Sequence, residues 1–251
     1  MRSRILLGIV SVAFAAAASA QVAVVSAASF RANQPLAAGS IAAAFGTFTG
    51  VTATSASAIP LPTSLAGVSV FIDTTPAPLF YVSDSQINLQ IPGSLGPGTH
   101  QIRVVAGSGE QTGSLVIMDA APGIFTVANT GSPLRAAAQN ENLTTNAADS
   151  PESRGHYIIL YATGPGALTQ AVDDGTAAPV NPYASTVSTP RVYIAGVEAT
   201  DIQFTGLTPT LVALWQINVR IPDMPFIAGR VPVRVFMNGV DSNEVSIFVA
   251  Q

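Results

Sequence analysis

Gln86-Ile87-Asn88-Leu89-Gln90-Ile91-Pro92 alternates polar and apolar residues without a break. A β-strand places successive side chains on opposite faces. Ile87, Leu89 and Ile91 therefore belong to one face, and Gln86, Asn88 and Gln90 to the other. Pro92 has no N–H for a ladder and ends the element. Each buried aliphatic side chain contributes about 1.5–3 kcal/mol, so slipping the register by one residue would expose all three. The stretch predicts a half-buried strand of fixed register.

Working outward, the same period recurs in Val68-Ser69-Val70-Phe71-Ile72, in Val192 with Ile194, in Ile202 with Phe204, and in Val231-Pro232-Val233-Arg234-Val235. Short strands broken by Gly, Pro, Asn and Ser are the pattern of β-sandwiches. Helical spacing is nearly absent after the N-terminal segment. Only Leu134 to Asn140, with Ala136-Ala137-Ala138, fits a turn of helix, and it fits a strand equally well.

The decisive stretch also returns. Gln216-Ile217-Asn218-Val219-Arg220-Ile221-Pro222 matches it at five of seven positions. Ile102-Arg103-Val104 returns as Val233-Arg234-Val235, and Leu115-Val116-Ile117 as Ser246-Ile247-Phe248. Upstream, Gly39-Ser40-Ile41 to Phe45-Gly46 parallels Gly155-His156-Tyr157 to Thr163-Gly164, and Val70-Phe71-Ile72 parallels Val192-Tyr193-Ile194. Five blocks in one order argue for duplication. Each copy has the size of an immunoglobulin-like sandwich, about 100 residues.

The expected fold is therefore all-β: two tandem immunoglobulin-like β-sandwich domains after a signal peptide. Domain 1 is expected over 21–128 and domain 2 over 154–251. The intervening 129–153, rich in Asn, Thr, Ala and Ser with Pro133 and Pro151, reads as a linker or as an irregular connection packed between the domains.

The N-terminus has the layout of an export signal. Arg2 and Arg4 precede a run of apolar and small residues from Ile5 to Ala18, and Ala18-Ser19-Ala20 fits a small-x-small cleavage site. The run is shorter than the ~20 residues a membrane span needs. A mature chain starting at Gln21, with no membrane span after cleavage, is expected in the secreted, periplasmic or cell-surface compartment.

Composition narrows the chemistry. The chain of 251 residues is 48% hydrophobic but only 10% charged, against a usual ~25% charged. There is no Cys, which excludes disulfides, thiol nucleophiles and zinc–thiolate sites. All ten basic residues are Arg. Without Lys, Schiff bases, Walker-A loops and S-x-x-K hydrolases are excluded. Loss of Arg2 and Arg4 leaves eight Arg against 14 acids, a net charge of −6. The Arg residues are scattered from Arg31 to Arg234, whereas nucleic-acid binding needs a concentrated basic surface. No nucleic-acid partner is expected.

Several motifs taken together resemble one family. They are Val25-Ser26-Ala27-Ala28-Ser29-Phe30, Ala38-Gly39-Ser40-Ile41, Pro78-Leu79-Phe80-Tyr81-Val82-Ser83 and Gln86-Ile87-Asn88. They continue in Ala121-Pro122-Gly123-Ile124-Phe125, Tyr161-Ala162-Thr163-Gly164-Pro165-Gly166, Asp174-Gly175-Thr176-Ala177-Ala178-Pro179 and Gln216-Ile217-Asn218. Over nearly the whole mature length the chain resembles the Solibacter-type C-terminal domain family of large secreted acidobacterial proteins. Through Val192-Tyr193-Ile194-Ala195-Gly196-Val197-Glu198-Ala199, the second half also resembles an IPT/TIG immunoglobulin-like domain. The resemblance implies an exported, β-rich bacterial module with no known activity. It also implies that Asp174-Gly175 forms a structural turn. One departure stands out: Asn140-Glu141-Asn142-Leu143 lacks the Gly expected at its turn.

Catalytic equipment is sparse. No G-x-S-x-G nucleophile elbow occurs, and His100 and His156 both fall at strand edges. No catalytic residue, resident metal or cofactor is assigned. Asp173 and Asp174, with Gly175 and Thr176, could supply oxygens to calcium, which takes 6–8 of them; the alternative is a tight acidic turn. Trp215 could stack on a sugar, but alternation puts it on the side of Ile217 and Val219, which favours the core. Polar strand faces such as Gln86-Asn88-Gln90 read as solvated surface more readily than as ligand platforms. The expected function is an exported, non-enzymatic module contacting a protein or polysaccharide surface. The alternatives are a carbohydrate-binding module using Trp215 or Tyr81, Tyr161 or Tyr183, and an enzyme of unrecognised type.

Overall fold

The computed structural model describes residues 21–107, 109–128 and 130–251. The signal expected over residues 1–20 lies outside the described residues. Among the described residues the regular elements are strands, and no helix there is long and apolar enough to cross a membrane.

The first sandwich is built from β1 (Ala23–Ser26), β2 (Leu36–Ala37), β3 (Ile41–Phe45), β4 (Val68–Ile72), β5 (Leu79–Val82), β6 (Gln86–Gln90), β7 (Gly98–Ala106) and β8 (Gly109–Met118). One sheet runs β1-β3-β6-β5 and the other β2-β8-β7-β4, with two-residue strands at the margins. These named strands pair antiparallel except β2 with β8, where Leu36 lies opposite Ile117. The decisive stretch forms β6 as expected. Ile87, Leu89 and Ile91 are fully buried, in one core with Phe48, Leu79 and Ile102.

The second sandwich repeats this plan. Its strands are β9 (Gly123–Ile124), β10 (Arg135–Ala136), β11 (Ala138–Asn140), β12 (Tyr157–Thr163), β13 (Arg191–Ile194), β14 (Ile202–Leu207), β15 (Trp215–Arg220), β16 (Gly229–Met237) and β17 (Val245–Val249). One sheet runs β9-β12-β15-β14, with β11 also beside β12; the other runs β10-β17-β16-β13. Again one pairing is parallel, β10 with β17, where Arg135 lies opposite Ser246. β15 occupies the place of β6, β16 that of β7 and β12 that of β3. Even the polar face is copied: Gln86 Nε2 donates to Asn88 Oδ1 and Gln216 Nε2 to Asn218 Oδ1, both at 2.8 Å. The chain is thus a tandem of two immunoglobulin-like β-sandwiches.

The stretch 129–153 is not a free linker. β10 and β11 lie within it, and β9 just before it already pairs with β12. Within the ambiguous Leu134–Asn140, Arg135–Ala136 and Ala138–Asn140 are therefore strand. Two buried asparagines clip this entry segment in place. Asn243 accepts from the Ile124 N–H at 2.8 Å and donates to its carbonyl at 2.9 Å. Asn146 does the same for Phe248, at 2.8 Å each way. Composition misled here because side-chain amides replace ladder bonds that an apolar strand would have announced. The connection between the sandwiches is instead the four residues 119–122, between Met118 and Gly123. In the turn lacking Gly, Leu143 itself adopts φ +68°, the left-handed region that a side chain disfavours.

Candidate functional site

The short connection presses the two sandwiches together, and the residues at the joint explain two of the sequence motifs. In Thr163-Gly164-Pro165-Gly166, a Cβ on Gly164 would stand 2.0 Å from the Ala121 carbonyl oxygen. One on Gly166 would stand 2.2 Å from that of Asp119. Only glycine lets the second sandwich lie this close to the chain entering it. Thr163 Oγ1 accepts from the Ile41 N–H across the joint at 2.7 Å.

Asp173-Asp174-Gly175-Thr176 closes as a turn. The Thr176 N–H donates to the Asp173 carbonyl at 3.1 Å, and Gly175 has φ +76°. The tip of the turn docks on the first sandwich. Asp174 Oδ1 accepts from the Gly93 N–H at 2.9 Å, and the Gly175 N–H donates to Gln90 Oε1 at 2.7 Å. The Gly175 carbonyl accepts from the Leu61 N–H at 2.8 Å. Burial pushes the Asp174 carboxyl above its ordinary value, and the Gly93 hydrogen bond pulls the other way. Of the pair considered for calcium, Asp174 thus serves as a latch between the domains, while Asp173 gives its backbone carbonyl to the turn. Among the described residues, no three His, Asp or Glu side chains come together as a metal site.

A cleft of about 620 Å³ opens beside this latch and is lined from both sandwiches. The first supplies the loop around Gly93–Pro97 with Met118, the connection supplies Asp119, and the second supplies much of 165–176, with Leu207 and Ala213. The second side belongs to the long connection between β12 and β13, which carries a small core of its own. Ala178 and Ala184 are buried there against Leu207 of β14, with Leu168 and Val172 packed against them. Connections of this length inside a compact domain are uncommon and are often functional. A second hollow at the joint, about 420 Å³, is almost wholly apolar and includes Ile41, Ile59, Phe80 and Leu211.

Trp215 is elsewhere. It is fully buried in the second core, and its Nε1–H donates to Thr205 Oγ1 at 3.0 Å. It has no face to offer a sugar, which corrects the stacking expectation in the direction the alternation favoured. The tyrosines named beside it lie on different elements. Tyr81 is half-buried on β5 of the first sandwich. Tyr161 is half-buried on β12, and its hydroxyl donates to Gln139 Oε1 at 2.6 Å. Tyr183 is exposed and packs edge-on against Phe204 at 5.6 Å.

The two histidines lie in different sandwiches. His100 Nδ1 is 2.7 Å from Asp73 Oδ2, and Nε2 is 2.9 Å from the Gly96 carbonyl oxygen. Both partners accept, so the ring must donate from both nitrogens to satisfy them, and that form is the imidazolium. The Asp73 hydrogen bond accordingly raises the His100 pKa above its ordinary value. His156 Nδ1 lies 3.0 Å from Glu141 Oε2. The nearby buried Glu152 is committed to the backbone N–H groups of Glu141 and Ser153.

Sequence reading missed Gln90. Its alternation assigned it to a solvated face, yet it is buried at the joint. The available signal was divergence between the copies. Where the first has Gln90, the second has Arg220, which bonds the Gly155 carbonyl within its own domain at 2.6 Å.

No protein-family model and no curated protein matches the chain. Among solved structures it is similar to the SGBP-B of a Bacteroides ovatus mixed-linkage glucan utilization locus, in complex with a mixed-linkage heptasaccharide. The identity is 10% and the TM-score 0.35, over 86% of this chain and 42% of that one. It is similar to the BSP domain of a biofilm associated protein at 13% identity and TM-score 0.31, over 93% of this chain and 30% of that one. It is also similar to tandem Ig domains of titin at 8% identity and TM-score 0.24, over 92% of this chain and 96% of that one. The chain thus spans less than half the length of the first two. Similarity at this level carries no functional inference.

Proposed function

We propose that the protein is an exported, non-enzymatic binding module of the cell envelope or extracellular space, in which two immunoglobulin-like sandwiches contact another protein or a surface. The observation that carries this reading is the joint. Four hydrogen bonds from Asp174, Gly175 and Thr163 hold the sandwiches against each other. A concave surface built from both is the product. Ligand sites favour such interfaces, and loops on a rigid β scaffold commonly carry the contacts. The sequence resemblance to secreted modules supports the same reading, and the burial of Trp215 favours protein contact over sugar stacking. The test is to immobilise the mature chain, residues 21–251, and present it with envelope extract and a polysaccharide array. Saturable capture of a protein, competed by soluble 21–251, is expected. Absence of capture, or chemical turnover of an arrayed glycan, would overturn the proposal.

A further inference from the structure

We infer that the cleft at the joint receives an extended segment of a partner protein that carries an Arg or Lys side chain between apolar residues. The inference rests on the binding-module reading and names the ligand of that site. The cleft's volume, about 620 Å³, lies inside the ~300–1,000 Å³ range of ligand sites. Its walls include the apolar side chains of Leu95, Met118, Leu168 and Val172. Three carboxylates, Asp119, Asp173 and Asp174, line it, and none of the lining residues is Arg or His. Asp174 is partly engaged by the Gly93 N–H. Asp119 and Asp173 have no ion-pair partner among the described residues, whose ion pairs all lie elsewhere.

Charge complementarity selects the occupant. A cation on a long aliphatic stem satisfies both the carboxylates and the apolar walls, because Arg and Lys pack their methylenes on apolar surface while the head stays polar. A neutral glycan would find no aromatic side chain in the lining on which to stack. An anionic headgroup would meet three carboxylates and no cation. The net charge of −6 after loss of the leader attracts a basic partner at long range as well.

The test uses the mature chain and two fluorescent probe peptides, acetyl-Leu-Leu-Arg-Leu-amide and the same peptide with Glu in place of Arg. Anisotropy is expected to show saturable binding of the Arg peptide only, weakening as salt rises. Replacing both Asp119→Asn and Asp173→Asn should weaken binding by about tenfold or more. Ala167→Trp, which fills the cleft from its lining, should abolish it. Asp223→Asn, which lies outside the cleft lining, should leave it unchanged. Circular dichroism melts of each variant separate lost binding from lost fold. Equal binding of both peptides, binding of neither, or full affinity in the double Asn variant would each overturn the inference. If Ala167→Trp still captures envelope protein at wild-type strength, the contact lies elsewhere on the module and only this inference fails. If wild type captures nothing, the binding-module reading fails with it.

Discussion

The guanidinium carbon of Arg234 stands 4.8 Å from the ring centroid of Tyr193, its cross-strand neighbour between β16 and β13. Arg103 stands 4.4 Å from the ring of Phe71, its neighbour between β7 and β4. Each arginine also reaches an acid across the following hairpin: Glu110 at 3.2 Å and Asp241 at 3.3 Å. An aromatic ring, an arginine and a carboxylate therefore lie across neighbouring strands in both copies. The duplication preserved a surface contact as well as a core.

This contact is expected to be additive to the core and small. In a double-mutant cycle of Arg234→Ala and Tyr193→Ala, the coupling energy should be about 0.5–1 kcal/mol, the range for exposed cation–π pairs. The exposed ion pair to Asp241 adds little, since solvent and salt screen it. Urea unfolding of the four proteins measures the coupling; a value indistinguishable from zero would remove the stacking from the account.

The strand frame can be tested at its most periodic residue. Ile217 is fully buried in the second core. Ile217→Asp would bury an unpaired carboxylate, and several kcal/mol of destabilisation is expected. Asn218→Asp, one residue along on the half-buried face, should be far milder. Similar melting of both variants would contradict the alternation.

How much of this was legible follows from what each residue does. Ile87 and Ile217 announce themselves because burial on a pleated strand imposes period two, and the repeat fixed their equivalence. Trp215 was placed by the same alternation. Gln90, Thr163 and the Asp174-Gly175 turn were not legible as a joint. Their partners, Gly93, Ile41 and Leu61, contribute backbone groups, and backbone leaves no residue-type signature. The linker error has the same root. Asn146 and Asn243 stand in for strand partners, so β9 to β11 carry no long apolar run.

Trp215 supplies both a stability and a spectroscopic prediction. Trp215→Ala should destabilise the second sandwich by about 3–5 kcal/mol through the cavity it leaves. Trp215→Phe keeps much of the volume but loses the Nε1–H bond to Thr205, and about 1 kcal/mol is expected. The native fluorescence should be blue-shifted and insensitive to iodide. Strong iodide quenching in the folded protein would place the indole at the surface.

The His100–Asp73 pair predicts a pH window. Asp73 is held below its ordinary value chiefly by the Gln101 N–H, then by His100. Its stabilisation is present above the unfolded value of 3.8 and is lost as pH falls through the lower folded value. His100 is raised, so its stabilisation is full below the unfolded value of 6.5 and is lost as pH rises through the higher folded value. The stability difference between wild type and Asp73→Asn should therefore be largest at about pH 5 and shrink on both sides. Denaturant midpoints across pH test this. An NMR titration of the His100 ring should give a midpoint above 6.5 in wild type and a lower one in the variant.

The joint itself is best tested by comparing two glycines. Gly175 and Gly196 have nearly the same φ, +76° and +80°, so Ala at either incurs a similar backbone penalty, roughly 1 kcal/mol or more. Their surroundings differ. A Cβ on Gly196 meets nothing within 4 Å, whereas one on Gly175 comes to 3.1 Å from the Leu61 carbonyl oxygen and 3.2 Å from Pro78 Cβ, both in the first sandwich. Gly196→Ala should lower the melting temperature without changing the small-angle scattering profile. Gly175→Ala must also push the sandwiches apart or give up the bonds to Gln90 and Leu61, so its radius of gyration should rise. The variants separate strain within a turn from strain across the joint: matching scattering profiles would mean that the Asp174-Gly175 turn does not set the angle between the domains.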